Sequence, residues 1–206
     1  MQLSASRVLL TGATGGMGRA IVAALCARGA QVLVVGRQDK ALQALVERNP
    51  SQVSCLQADL RQPADRASVL RRAQQTGDIN LLINAAGINH FGLFENMQEQ
   101  AINDLIETNL TATLQLTHGL LPLLRSQPQS CVVNIGSTFG SIGYPGFSVY
   151  CATKFALRGF SEALRRELAD TNVGVLYLAP RATRTEMNNA AVEAMNAELQ
   201  VSMDSP

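Results

Sequence analysis

The sequence predicts an α/β fold in which helices cover both faces of a doubly wound parallel sheet. Two observations predict it: apolar segments typical of buried strands alternate with helical segments, and residues that suit ligand binding follow most of the strand patterns. Strands are predicted near 7–11, 32–35, 53–57, 79–84, 131–135 and 173–178. Helices are predicted near 16–28, 38–48, 63–76, 99–124 and 149–170, and the fourth is long enough to need a bend or two pieces.

The first strand, R-V-L-L, runs directly into the turn T-G-A-T-G-G-M-G, which a helix follows. Glycine permits positive φ and a close approach of the backbone, and the free N–H groups at a helix N-terminus attract phosphate. The turn therefore predicts a pyrophosphate site in a Rossmann-type fold, with a merely tight connection as the alternative. The predicted contacts are Gly12, Thr14, Gly15, Gly16, Met17 and Gly18.

A second motif, V-Y-C-A-T-K, places Tyr150 and Lys154 four residues apart, on one face of the predicted helix. An adjacent ammonium favours the phenolate and lowers the pKa of a tyrosine from its ordinary value near ~10. Ser137, in N-I-G-S-T, can supply a hydroxyl on the substrate side. The three residues predict a site of proton transfer, and the surface of an amphipathic helix is the alternative interpretation of the pair.

With both motifs, the chain resembles the classical short-chain dehydrogenase/reductase family over residues 7–187. The family's T-G-x-x-x-G-x-G motif is matched by Thr11, Gly12, Gly16 and Gly18. The pattern T-G-x-x-G-x-x-G of extended sugar-nucleotide epimerases and dehydratases also fits, through Gly12, Gly15 and Gly18. Those proteins carry a large C-terminal substrate domain, for which we expect no room in 206 residues.

The resemblance implies an oxidoreductase that transfers a hydride between a nicotinamide and a ketone or secondary alcohol. Tyr150 would be the general acid in reduction and the general base in oxidation, and Ser137 would polarise the reacting C–O group. Lys154 would lower the pKa of Tyr150 and hydrogen-bond the nicotinamide ribose. Asn109, in E-T-N-L, would link Lys154 to solvent through water. Ser141 is expected to be an ordinary loop residue, and no metal is expected.

Further cofactor contacts follow from the resemblance at the ends of the third and fourth strands. Asp59, followed by Leu60, would contact adenine. The segment L-L-I-N-A-A-G would bring Asn84, Ala85 and Gly87 to the cofactor, with alanine where the family has a second asparagine.

The segment 181–206 is predicted to be a region of cofactor and substrate loops. Pro180 would contact the cofactor and is followed by Arg181, where the family has glycine. The backbone of Thr183 would meet the carboxamide, and Thr185 would lie on the pyrophosphate side. Family chains continue into a further helix and a seventh strand, which we expect this chain to lack; the exposed sheet edge would need another cover.

Cofactor preference is predicted from the end of the second strand, Q-V-L-V-V-G-R. An acidic residue there would bind the ribose 2′-hydroxyl of NAD, but Gly36 occupies that place and Arg37 follows. Because a guanidinium suits a 2′-phosphate, we predict NADP(H), with NAD(H) less favoured. The alternative is that Arg37 is only solvated and that Asp39 serves the ribose.

Composition predicts one domain, 1–206, in the cytoplasm. A hydrophobic content of 47% is ordinary for a globular chain, and a net charge of +1 gives no indication of a nucleic-acid partner. The four cysteines have no paired spacing, so neither disulfides nor a metal site is suggested. No stretch approaches the length of a membrane span. In similar proteins the helices near 99–124 and 149–170 pack across a two-fold axis, so a homodimer or homotetramer is expected.

The loop T-F-G-S-I-G-Y-P-G-F-S is mainly apolar, with Phe139, Ile142, Tyr144 and Phe147. It favours a small-molecule substrate that is a hydrophobic ketone or alcohol, such as a 3-oxoacyl thioester, a steroid-like ring or a small diketone. The same residues could merely pack the loop. The alternative function is a catalytically silent, dinucleotide-binding regulatory or scaffolding protein, and a sugar-nucleotide epimerase ranks last.

Overall fold

The computed structural model describes residues 2–183, 185, 190–198 and 202–205. Its strands are β1 (Arg7–Thr11), β2 (Gln31–Gly36), β3 (Val53–Gln57), β4 (Leu81–Asn84), β5 (Ser130–Ile135) and β6 (Val173–Leu178). Its helices are α1 (Gly16–Cys26), α2 (Asp39–Arg48), α3 (Pro63–Thr76), α4 (Glu99–Ile106), α5 (Ala112–Ser126), α6 (Ser148–Glu167) and α7 (Ala190–Glu198). All the predicted strands are present, and the five predicted helical segments correspond to α1–α6. The helix α7 was not predicted.

All strand pairs are parallel, and the strands lie in the order β3-β2-β1-β4-β5-β6. The order reverses between β1 and β4, which is the position where open α/β sheets bind ligands beyond the carboxyl ends of their strands. The predicted doubly wound sheet is therefore confirmed, and its reversal point locates the site.

Helices cover both faces of the sheet because the side chains of each strand alternate between the two faces. On one face, Val8 and Leu10 of β1 pack with Val22 of α1 and Leu42 of α2. On the other face, Leu9 packs in a second cluster. That cluster includes Val69 of α3, Leu116 and Leu120 of α5, and Leu164 of α6. The side chains of both clusters are almost fully buried. The sheet is therefore a well-packed support for the loops at its edge.

The predicted long helix near 99–124 is in two pieces, α4 and α5, joined by a π-helical turn over Glu107–Thr111. Such turns are rare, and they occur frequently at functional sites because they re-aim side chains within an otherwise regular helix. Here the turn contains Asn109, which is buried.

The β1–α1 turn packs too tightly for side chains at two of its glycines. Gly12 has a φ of +68°, and a Cβ there would lie 2.6 Å from the backbone of Ala85. A Cβ on Gly18 would lie 2.1 Å from the carbonyl oxygen of Gly12, whereas one on Gly15 would meet nothing closer than 3.6 Å. Gly12 and Gly18, which both motif patterns share, are thus required by the fold itself.

The C-terminal part of the predicted loop region is described only in pieces. Residues 184, 186–189, 199–201 and 206 lie outside the described residues, and so does Met187, the last residue of the family resemblance. Where it is described, the chain returns alongside itself: Thr183 pairs with Asp204, and Asp204 N donates to Ala182 O at 2.8 Å. In the described part of the chain, none of the helices has the length and apolarity needed to cross a membrane.

Candidate active site

A cleft of about 540 Å³ lies beyond the carboxyl ends of β1, β2, β3 and β4. The predicted cofactor residues among its lining are Gly12, Thr14, Gly15, Gly16, Met17, Gly18, Arg37, Asp59, Leu60, Ala85, Gly87 and Thr185. The sequence analysis did not assign a further group in the lining, which includes Arg19, Gln38, Arg61, Ala86, Ile88, Asn89 and Thr108. Most of these residues are chain neighbours of an assigned one, which is the signal that could have found them.

The glycine-rich turn fits a pyrophosphate. The first backbone bond of α1 runs from Arg19 N to Gly15 O at 2.9 Å, so the N–H groups of residues 16–18 precede the helical ladder. These residues line the cleft, where the helix dipole also favours an anion. Arg19 Nη1 donates to Thr14 O at 2.5 Å, which places a guanidinium over the same turn.

At the end of β2, where the 2′-phosphate of NADP(H) is predicted to bind, Gly36 leaves space for a small side chain. A Cβ on Gly36 would lie 3.5 Å from Leu42 Cδ2 and 3.6 Å from the Thr14 side chain, which are ordinary contacts. Arg37 is exposed in the same wall of the cleft. The alternative residue, Asp39, is the first residue of α2, and its carboxylate accepts a hydrogen bond from Gln43 Nε2 at 3.4 Å.

At the end of β3, Asp59 forms an ion pair that the sequence analysis missed. Arg61 donates to both carboxylate oxygens of Asp59, with Nη2 at 2.7 Å from Oδ2, and its Nη1 reaches Asp104 of α4 at 2.9 Å. The Arg61 guanidinium lowers the pKa of the Asp59 carboxyl below its ordinary value. Asp59 therefore lines the cleft as an ion-paired carboxylate and not as a free acceptor.

The side chain of Asn84 is hydrogen-bonded within the core, and Asn84 is not among the residues that line the cleft. It is buried, and its Nδ2 donates to Thr117 Oγ1 at 3.1 Å and to Asn134 Oδ1 at 2.8 Å. Asn134 continues the chain of bonds to Ser161 Oγ of α6 at 2.9 Å. Through its side chain, Asn84 connects the sheet to α5 and α6; its contact with a cofactor stays a prediction.

Lys154 lies between the cleft and the residues predicted to be catalytic, Ser137 and Tyr150. Its side chain is buried, and Nζ donates to the carbonyl oxygen of Ile135, at the end of β5, at 3.1 Å. A Cβ on Gly87, a cleft residue, would lie 3.7 Å from this Nζ. The ammonium is therefore separated from the cleft only by the backbone of Gly87. Burial lowers the pKa of Lys154 from 10.5 to about 8.

Tyr150 lies four residues before Lys154 on the same face of α6, with Lys154 Nζ 5.7 Å from the centre of its ring. Burial raises the pKa of the Tyr150 phenol, and a hydrogen bond with the Ser137 side chain acts in the opposite direction. The expected lowering of this pKa is therefore not found in this structure: burial of the phenol dominates, and Lys154 is not among the groups that shift the pKa of Tyr150.

Ser137 begins the short turn Thr138–Gly140 that follows β5. Its Oγ accepts from Phe139 N at 3.1 Å, and the same hydroxyl is the side-chain hydrogen-bond partner of Tyr150. Ser141 has a different partner, since its Oγ accepts from Arg158 Nη1 at 2.6 Å. The structure thus brings Ser137, and not Ser141, to Tyr150.

Asn109 holds the loop that follows β4. Its Oδ1 accepts from Ile88 N at 2.8 Å, while its Nδ2 donates to Ile88 O at 2.9 Å and to Thr153 Oγ1 at 3.3 Å. A Cβ on Gly87 would lie 3.4 Å from Asn109 Oδ1. Asn109 therefore borders the cleft beside Lys154 and fixes the backbone that lines it; the water link to Lys154 stays a prediction.

Aromatic rings surround Tyr150 on the substrate side. Phe139 stacks on Tyr144 with ring centres 5.1 Å apart, and both Phe139 and Phe147 meet the Tyr150 ring edge-on at 6.3 Å and 6.1 Å. Val192 and Met195 of α7 pack against the same cluster. The apolar loop was predicted, but Ile142 stays outside the cluster with 62% of its surface exposed.

The remaining predicted residues follow β6. Thr185 lines the cleft, whereas Thr183 pairs with Asp204 and its Oγ1 donates to Arg181 O at 2.9 Å. The carbonyl oxygen of Pro180 accepts from Thr138 N at 3.3 Å, which connects this segment to the Ser137 turn. Over the described residues there is no group of His, Cys, Asp and Glu side chains that could hold a metal ion, and the four cysteines are free thiols.

Comparisons with known proteins agree with this geometry. A model of the family described as short chain dehydrogenase matches residues 6–196. The 3-oxoacyl-(acyl-carrier-protein) reductase FabG of Escherichia coli (strain K12) is 32% identical over 198 residues, which cover 96% of this chain and 81% of that protein. Nodulation protein G of Rhizobium sp. (strain N33) is 32% identical over 203 residues, covering 96% and 83%.

Solved structures show the same fold. A short-chain dehydrogenase from Sphingobium yanoikuyae in complex with NADPH superposes with a TM-score of 0.88 at 32% identity, covering 97% of this chain and 79% of that one. The closed form of a serine dehydrogenase complexed with NADP+ superposes with a TM-score of 0.87 at 31% identity, covering 97% and 84%.

The buried ammonium predicts a specific pH dependence of stability. Because the pKa of Lys154 is about 8 in the folded protein and 10.5 in its ordinary range, the unfolded chain binds more protons between these values. The free energy of unfolding of the native protein should therefore rise with pH in this window relative to Lys154→Met, which carries no ionisable group there. Denaturant unfolding at several pH values measures it. The change Lys40→Met, at an exposed position, is the control for loss of a lysine; parallel curves for the native protein and Lys154→Met would contradict the prediction.

Proposed function

Because this chain belongs to the short-chain dehydrogenase family and is an oxidoreductase of CH–OH and C=O groups, we propose that it reduces an apolar ketone with NADPH. The observation that carries the proposal is the position of Lys154, whose ammonium lies directly behind Gly87 of the cleft and over the ring of Tyr150. The three features form one continuous path from the cofactor site to a proton donor.

The cleft residues would hold the cofactor by its charged parts. The N–H groups of residues 16–18 would bind the pyrophosphate, Arg37 the 2′-phosphate, and Lys154 the nicotinamide ribose. Bound NADPH supplies the hydride. The protein then has to place the carbonyl carbon of the substrate beside the nicotinamide and neutralise the charge that develops on the carbonyl oxygen.

Tyr150 would donate its proton to the carbonyl oxygen as the hydride reaches the carbonyl carbon, leaving an alcohol and a tyrosinate. The raised pKa of Tyr150 means that the resting phenol holds the proton to be donated, but it also makes the phenol a weaker acid. Ser137 would donate a second hydrogen bond to the same oxygen. The Lys154 ammonium beside the ring would stabilise the tyrosinate until a proton returns from solvent.

For the substrate, we propose a 3-oxoacyl thioester. The aromatic cluster around Tyr150 offers an apolar surface to the chain next to the carbonyl, and no ion pair of a described residue lies within that cluster. Several bacterial relatives, from Escherichia coli, Vibrio cholerae and Haemophilus influenzae, are named as reductases of 3-oxoacyl groups. Acetoacetyl-coenzyme A is a simple probe of this class.

Removal of the phenol hydroxyl tests the reaction. In Tyr150→Phe, turnover of acetoacetyl-coenzyme A with NADPH should fall roughly a hundredfold or more, because the general acid is lost, while NADPH binding is retained. Ser137→Ala should lose at least about tenfold through loss of one donor to the oxygen. The exposed Ser51→Ala is the matched control and should keep native turnover. NADPH oxidation is followed by its absorbance, and full activity in Tyr150→Phe would reject the assignment.

Cofactor preference is tested by adding a charge at the end of β2. Gly36 has space for a side chain, so Gly36→Asp should fold, bind the 2′-hydroxyl of NADH and repel a 2′-phosphate. The ratio of kcat/KM for NADPH to that for NADH should fall about a hundredfold, since like charges in contact cost several kcal/mol. Gly36→Asn has nearly the same size without the charge and should change the ratio far less. An unchanged ratio in Gly36→Asp would argue against the 2′-phosphate site.

We also propose that two copies of the chain associate through a groove between α4 and α6. The groove is lined by Phe94, Ile102, Ile106, Leu110, Val149 and Ala152, with Ser148 and Thr153 at its side. Phe94 and Ile106 expose 60% and 41% of their surface, and Phe155 lies exposed one turn beyond Ala152. Contiguous exposed apolar surface of this kind marks an interaction site. Sedimentation should give a dimer for the native chain and a monomer for Ile106→Arg; a native monomer would contradict the proposal.

A further inference from the structure

The turn that carries Ser137 rests on a residue that the reaction does not use, Tyr177 of β6. The phenol oxygen of Tyr177 accepts a hydrogen bond from Ser137 N at 3.4 Å and donates one to Ser137 O at 3.4 Å. Both backbone groups of Ser137 therefore have the same side chain as a partner, and Ser137 O also accepts from Gly140 N at 2.9 Å.

The ring of Tyr177 also fixes the shape of the turn by filling space. A Cβ on Gly136 would lie 2.1 Å from Cζ of Tyr177, and one on Gly140 would lie 2.2 Å from its hydroxyl oxygen. Neither distance is compatible with a side chain, so the two glycines on either side of Ser137 lie directly against the ring. The turn and the ring are complementary in shape, and neither can shift without the other.

The helix that carries Tyr150 also forms hydrogen bonds to both ends of the same turn. Tyr150, Lys154 and Arg158 lie at intervals of four residues on α6 and therefore share one face. Lys154 Nζ donates to Ile135 O just before the turn, and Arg158 Nη1 donates to Ser141 Oγ just after it. The ends of the turn are thus hydrogen-bonded to α6, while in its middle Ser137 is bonded to Tyr177 and Thr138 to Pro180.

We propose that Tyr177 is a positioning residue that sets the Ser137 hydroxyl relative to Tyr150. The inference rests on the proposed function, since it matters only if Ser137 and Tyr150 must face one carbonyl oxygen together. Loss of the Tyr177 hydroxyl removes one support of the turn and leaves the bonds from Thr138 N to Pro180 O and from Phe139 N to Ser137 Oγ. The turn therefore persists, but the Ser137 hydroxyl is held less precisely. Small misplacements of a catalytic group have large effects on rate.

The positioning role of Tyr177 could not be predicted from the sequence. Tyr177 lies in V-G-V-L-Y-L, which indicates an ordinary strand, and its partner is separated from it by 40 residues. The two bonds to Ser137 are long, so their contribution to the free energy of unfolding is small. The expected consequence is therefore a loss of rate in a protein that stays folded.

The test is a double-mutant cycle with acetoacetyl-coenzyme A and NADPH. Tyr177→Phe keeps the ring and removes only the hydroxyl, and kcat should fall about tenfold, with the KM for NADPH changed less than about twofold and the thermal midpoint nearly native. In a Ser137→Ala background the same change should lower kcat less than about twofold, because the hydroxyl to be positioned is already gone. Equal losses in both backgrounds, or no loss in the native one, would overturn the proposal. Leu176→Thr, an exposed neighbour on the same strand, is the control for changes in β6.

A second readout does not depend on turnover. The chain has three tyrosines, so NMR of ring-labelled tyrosine can follow the titration of Tyr150 alone. Tyr177→Phe removes the direct effect of the Tyr177 hydroxyl, which raises the pKa of Tyr150, and weakens the Ser137 bond, which lowers it. The direct effect is measured alone in a Ser137→Ala background, and after it is subtracted the pKa of Tyr150 in Tyr177→Phe should be raised. An unchanged or lowered value would contradict the positioning role. Full turnover in Tyr150→Phe would reject the proposed function instead, while this titration would still decide what Tyr177 does.

Discussion

The hydrogen bond from the buried Lys154 ammonium to the carbonyl oxygen of Ile135 is the interaction on which the site depends. It joins α6 to the end of β5, and so fixes the helix that carries Tyr150 against the strand that leads to Ser137. Burying a cation with a single carbonyl partner costs free energy, as the lowered pKa of Lys154 records. The fold tolerates this cost at a place where the cation lies close both to Gly87 of the cleft and to the Tyr150 ring.

The rest of the site is assembled around that bond by the edge of the sheet. Parallel strands bring their carboxyl ends together, so turns from distant parts of the sequence meet at the reversal between β1 and β4. Ion pairs and hydrogen bonds from an asparagine side chain then connect these turns. Arg61 links Asp59 at the cleft to Asp104 of α4, and Asn109 clamps the backbone of Ile88 from the π-helical turn. The cleft and Tyr150 are therefore parts of one hydrogen-bonded arrangement.

Much of this arrangement could be predicted from local sequence. Strand and helix periodicities place every strand, the glycine-rich turn and the four-residue spacing of Tyr150 and Lys154, because these depend on neighbours along the chain. Features set by tertiary contacts could not be predicted. β4 is buried on both faces, so its pattern does not say where Asn84 points. The raised pKa of Tyr150 depends on rings that converge only in the fold, and the contacts of Arg61 and Tyr177 depend on residues far away in sequence.

The central claim is that the cleft and Tyr150 cooperate in hydride transfer, as opposed to nucleotide binding alone. The most direct measurement is the fate of deuterium carried on the transferable position of the NADPH nicotinamide during incubation with acetoacetyl-coenzyme A. The account predicts one deuterium on the former carbonyl carbon of the product, together with a slower turnover than with unlabelled NADPH. NADPH that binds firmly but leaves the thioester unlabelled would contradict the account and would favour a dinucleotide-binding protein without turnover.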